Sequence, residues 1–96
     1  MSLTKEAIIA ELKTVFDPEI SLDVWTMGLI YRLDITNETE VFVLMTYTTP
    51  ACPFGPELTQ QVKEKILDLG ATAVDIDITF DPVWKPSDEL RLMLGI

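Results

Sequence analysis

Histidine is absent from this chain of 96 residues, cysteine occurs once, and basic residues are scarce, with seven Lys plus Arg against sixteen Asp plus Glu. Without histidine the chain lacks both the usual acid or base of neutral pH and the commonest borderline metal ligand. Catalytic triads and histidine-built zinc sites within one chain are therefore excluded. A single cysteine cannot close an internal disulfide, which agrees with a reducing compartment and leaves an intermolecular bridge open. The formal net charge of -9 opposes phosphate backbones and anionic membranes at long range, so no nucleic acid and no membrane is expected as a partner. No apolar run approaches the roughly 20 residues of a membrane span, and Met1-Ser2-Leu3-Thr4-Lys5-Glu6 lacks the basic-then-apolar layout of a signal peptide. A cytoplasmic protein is expected.

A hydrophobic content of 48% supports a folded chain, and the length suits one domain over residues 1–96. Thr4 is placed to cap a first helix over residues 4–16, whose apolar stripe is Ile8, Leu12, Val15 and Phe16 and which stops at Asp17-Pro18-Glu19. Residues 29–35 read as a strand with Leu29, Tyr31, Leu33 and Ile35 on one face and Arg32 and Asp34 on the other. The polar Asn37-Glu38-Thr39-Glu40 suits a hairpin turn into a second strand, 41–47, that is apolar on both faces and belongs at the centre of the sheet. Gly55 as N-cap and Pro56 at the first helical position open a second helix with Leu58, Val62, Ile66 and Leu69 on its apolar face, closed by Gly70. Val74, Ile76, Ile78 and Phe80 alternate with polar residues in a third strand, and Ser87 caps a last helix to Leu94. The order helix-strand-strand-helix-strand-helix predicts an α+β fold: a three-stranded mixed sheet with helices on one face and the third strand parallel to the second.

The segment Thr48-Thr49-Pro50-Ala51-Cys52-Pro53-Phe54-Gly55-Pro56 holds the one thiol among three prolines, each of which fixes a backbone φ and removes an amide donor. Cys52 precedes a helix start, where the dipole favours a thiolate, while the surrounding acidic charge opposes it. The alternative is a cysteine buried as a small hydrophobe. Thr46, Thr48 and Thr49 can donate to a thiolate or a bound anion, or satisfy backbone at a strand end. Asp17 with Glu19, and Asp81 with Trp84, could join the same site; Asx-type turns and core packing are the competing roles.

Asp17-Pro18-Glu19, Met27-Gly28-Leu29-Ile30-Tyr31, Thr48-Thr49-Pro50-Ala51-Cys52-Pro53, Asp81-Pro82-Val83-Trp84 and Leu94-Gly95-Ile96 together resemble the MIP-type small domain, also called the metal-sulfur cluster biosynthetic domain. That family includes SufT, PaaD and the eukaryotic cytosolic iron-sulfur targeting factors, and the resemblance covers nearly the whole chain. It implies a fold similar to the iron-sulfur cluster assembly domain-like fold and a role in maturing iron-sulfur proteins rather than turning over a metabolite. It also implies that Cys52 is the reactive residue and ligand candidate, with an acidic residue matching Asp17 or Glu19 near it. The implied partners are the iron-sulfur assembly machinery or apo-client proteins. By the same resemblance the chain is the minimal domain, without the cysteine-rich C-terminal extension of PaaD proteins or the N-terminal extension of larger members.

A cluster normally takes about four protein ligands, mostly thiolates, and this chain has one. No stably bound cofactor is expected; transient iron or an iron-sulfur cluster is the compatible cargo. A homodimer would bring two Cys52 sulfurs together, leaving the other positions to exogenous thiols, carboxylates or a partner, and an uncovered sheet face would also allow one. An adaptor with a structural Cys52 and a thiol or persulfide carrier stand as alternatives. The last lacks a resolving cysteine and a histidine base within the chain.

Overall fold

The computed structural model describes residues 3–17, 21–48 and 55–95. Thr4 has extended angles and its Oγ1 accepts from the Ala7 N–H at 3.1 Å, which starts α1 (Lys5–Leu12). Ile8 and Leu12 bury completely, as does Val15. The helix is shorter than the expected residues 4–16, because after Leu12 the backbone turns and enters a two-stranded bridge in which Phe16 pairs with Asp23. Extended backbone sends successive side chains to opposite sides. Val15 therefore points in, Phe16 is 52% exposed and Asp17 is buried at 2%. Phe16 is thus not part of the helical stripe.

β1 (Ile30–Thr36) and β2 (Glu40–Met45) form an antiparallel hairpin, and β3 (Ala73–Ile78) runs parallel to β2 after the crossover through α2 (Gly55–Asp68). The sheet order is β1-β2-β3, so the strand that is apolar on both faces lies at the centre. Asn37 and Glu38 both take positive φ, 51° and 66°, to reverse the chain in the hairpin. A register shift between Ile30 and Arg32 takes Tyr31 out of the simple alternation read for this strand: Leu33 and Ile35 pack on the core side, Leu29 buries just before the strand, and Tyr31 is half-buried. β3 stops at Ile78, so Phe80 lies beyond the strand and is partly exposed.

Leu58, Val62 and Ile66 recur every four residues on α2 and are fully covered, a burial of about 1.5–3 kcal/mol per side chain relative to exposure. They meet Ile8 and Leu12 of α1 and the inward row of the sheet, Leu33, Val41, Val43, Met45 and Val74, in one core cluster. α1 and α2 therefore cover one face. α3 (Asp88–Leu94) starts at Ser87, whose Oγ accepts from the Leu90 N–H at 3.1 Å, and ends at Gly95 in the left-handed region. Leu90 is its buried anchor, beside Thr26, whereas Leu92 and Met93 point outward.

The opposite face of the sheet carries a different row. In register across the three strands, Asp34, Phe42 and Asp75 lie side by side, followed by Arg32, Leu44 and Asp77. Phe42 and Leu44 are half-buried and lie outside the core cluster.

Candidate functional site

Several of the described segments meet at one end of the sheet. Ile30 at the start of β1 lies opposite Met45 at the end of β2, and Met45 lies opposite Ile78 at the end of β3. Beyond the strands the pairing continues: the Thr46 N–H donates to Leu29 O and the Thr79 N–H to Met45 O, both at 2.9 Å. The chain leaves β2 here toward residues 49–54 and returns here at Gly55 to begin α2. Cys52, Thr49 and Glu19 lie outside the described residues.

Tyr47 fixes the return point. Its hydroxyl is 2.8 Å from Thr59 Oγ1, and that hydroxyl donates to Gly55 O at 3.0 Å, so side chain, first helical turn and helix start form one chain of hydrogen bonds. The ring lies so close to Gly55 that a Cβ there would meet it at 2.5–2.8 Å. Glycine at this position is therefore required by the close approach of the ring. Tyr47 also meets Phe80 edge-to-face at 6.1 Å between centroids, which joins the segment after β3 to the same group. α2 begins at Gly55 itself, one residue earlier than expected from reading Gly55 as the cap.

The segment from Asp81 to Trp84 folds back over the start of β1. The Tyr31 hydroxyl donates to Pro82 O at 2.8 Å and the Trp84 indole N–H to Met27 O at 2.6 Å. Trp84 Nε1 also lies 3.9 Å from where a Cβ on Gly28 would be, and Gly28 holds a φ of 76°. Trp84 is half-buried against the core, as is Trp25. Asp81 is exposed; its N–H donates to Thr79 Oγ1 at 3.2 Å, a local turn bond.

Asp17 reaches this end through a backbone relay. Its N–H donates to Leu22 O and its carbonyl accepts from Ser21; one pair along, Val24 donates to Val15 O, and Leu29 donates to Val24 O before receiving Thr46. The buried Asp17 thus sits on a hairpin tied to the residue that also holds the end of β2. Thr46 is wholly buried and its hydroxyl donates to Tyr47 O at 3.3 Å, the backbone-satisfying role open to it from sequence, while Thr48 is half-buried. Among the described residues no three His, Cys, Asp or Glu converge as a metal-binding group, and no buried side-chain nitrogen or oxygen lacks a hydrogen bond. Of the expected residues, Asp17, Thr48, Asp81 and Trp84 thus belong to segments meeting at one end of the sheet. The Tyr47, Thr59 and Phe80 cluster was not singled out from sequence; the one local hint was a glycine opening a helix, and the aromatic ring that requires it is eight residues upstream.

This α+β arrangement places the chain in a known class. Residues 5–80 match the family described as iron-sulfur cluster assembly protein, and the chain belongs to that family. It is 41% identical to the Fe-S protein maturation auxiliary factor of Porphyromonas gingivalis, covering 96% of this chain and 91% of that one. It is 32% identical to the Fe-S protein maturation auxiliary factor YitW of Bacillus subtilis, with 96% and 94% covered. Among solved structures, a conserved hypothetical protein of Thermotoga maritima superposes with a TM-score of 0.86 at 40% identity, over 99% of this chain and 97% of that one.

Proposed function

We propose that this chain is an accessory factor in iron-sulfur protein maturation, which holds iron, sulfide or a cluster briefly through Cys52 or targets it to apo-clients. The observation that carries the reading is the family match across residues 5–80, which spans Cys52 and the segments bearing Asp17, Glu19, Thr48 and Thr49. The similarity to proteins named as Fe-S maturation auxiliary factors supports the same role. The role is a carrying one rather than catalysis of a metabolite's conversion.

Cys52 is the one thiolate the chain can offer, so a four-ligand cluster must take its other ligands from elsewhere. A second copy, an exogenous thiol or the receiving protein can supply them. Transfer is then an exchange of thiolates: a client cysteinate replaces Cys52 on the iron, with no change of oxidation state. A carrier with few ligands of its own releases its cargo readily to a client with more. Asp17 and Glu19 are supporting residues in this reading, and Trp84 keeps the Asp81 segment seated through its bond to Met27. In this reading residues 1–96 act as one domain in the cytoplasm, alone or as a homodimer meeting at Cys52. No helix among the described residues is long and apolar enough to cross a membrane.

Anaerobic reconstitution with iron and sulfide, comparing wild type with Cys52→Ser by absorbance and native mass, tests the proposal. The expected result is a chromophore in the wild type that the variant loses, with added iron and sulfide in the native mass. Absence of binding by both proteins would leave the adaptor role. Rapid alkylation of Cys52 at neutral pH without metal uptake would indicate the thiol or persulfide carrier.

A further inference from the structure

The face of the sheet turned away from α1 and α2 has a defined pattern of apolar and charged residues. Phe42 and Leu44 project from the central strand two residues apart, about 7 Å along it. Asp34 and Arg32 flank them on β1, and Asp75 and Asp77 flank them on β3. Glu40 continues the row beyond Phe42, so the face holds four carboxylates against one arginine, and that arginine is already paired with Asp34. Glu40, Asp75 and Asp77 are exposed.

We infer that this open face docks a cationic amphipathic helix of a partner protein, with apolar side chains over Phe42 and Leu44 and Lys or Arg over Asp75, Asp77 and Glu40. The charge pattern selects the occupant. A wholly apolar cover would strip water from carboxylates without pairing them, which costs more than completing the burial of two partly exposed side chains returns. A second copy would set the same net negative face against itself, on chains that each carry -9. A cationic helix meets both demands, because residues spaced three and four apart share one apolar stripe while their neighbours on the helix flank it with charge. The dimensions agree: six residues of strand span about 20 Å, as do about 14 residues of helix. The inference concerns partner binding and is independent of whether Cys52 carries metal.

The test is a titration of the isotope-labelled full chain with a synthetic helix of about 14 residues, leucines on one stripe and lysines and arginines beside it, followed by amide chemical shifts. A peptide of the same composition in scrambled order is the control. Shifts are expected at residues 32–36, 40–44 and 73–77, with the scrambled peptide weaker. The double variant Asp75→Asn with Asp77→Asn should weaken binding roughly fivefold, the scale for losing two exposed charge pairs. Both positions are exposed, and circular dichroism verifies that the fold is kept. Absence of binding, unchanged affinity in the double variant, shifts centred on Val83, Leu92 and Met93, or a concentration-dependent dimer that Leu44→Asp abolishes would each overturn the inference.

Discussion

The two faces of β2 belong to the same six residues and yet have different physical roles. Val41, Val43 and Met45 are sealed in one core cluster with Ile8, Leu12, Leu58, Val62 and Ile66 of α1 and α2. Phe42 and Leu44, one residue away in each case, face outward between charged neighbours. Hydrophobicity alone does not distinguish the two rows. The difference comes from what stands beside each on the neighbouring strands: Leu33, Ile35, Val74 and Ile76 on the inside, Arg32, Asp34, Asp75 and Asp77 on the outside. A central strand can thus be apolar on both faces while the sheet has one core.

Adjacent substitutions on β2 give the sharpest test of that contrast. Met45→Ala removes a fully buried side chain and should cost about 2–5 kcal/mol in denaturant unfolding, the largest effect expected. Gly55→Ala asks whether the covered side is as tightly filled at its site end: the new Cβ forces the Tyr47 ring from its place between Thr59 and Phe80. A loss of about 1–3 kcal/mol is expected, with a changed near-ultraviolet signal from the tyrosine. Wild-type stability in this variant would mean that the ring can shift freely. Leu44→Ala, next to Met45 but on the open face, should cost about 1 kcal/mol or less. A loss equal to that of Met45→Ala would break the comparison. Asp77→Asn should fall within about 0.5 kcal/mol, measured by the same unfolding, because it removes an exposed charge from the face turned away from α1 and α2.

Much of this was legible from local patterns. The four-residue recurrence of Leu58, Val62 and Ile66 marks α2, and the caps at Thr4 and Ser87 form as read. The parallel placement of β3 follows from the crossover through α2. Phe16 departs from the helical stripe: helical and extended spacing cannot be told apart over two residues, and the bridge to Asp23 that decides it comes from a segment several residues later. Tyr31 departed from alternation because a register shift leaves no mark in composition. At the candidate site, Asp17, Asp81 and Trp84 could be named from motifs, but Tyr47 could not, since its partners Gly55, Thr59 and Phe80 are eight, twelve and thirty-three residues away in sequence.

By itself the sequence determined the order and type of the elements, the excess of negative charge and the presence of one thiol without histidine, because these depend on near neighbours or on simple counts. Only the tertiary structure decided which apolar row of β2 became core and which stayed open. It alone brought Tyr31 to Pro82 and Trp84 to Met27, contacts that span 51 and 57 residues. Such pairings form only when the whole sheet closes, so their energy is a property of the assembled chain.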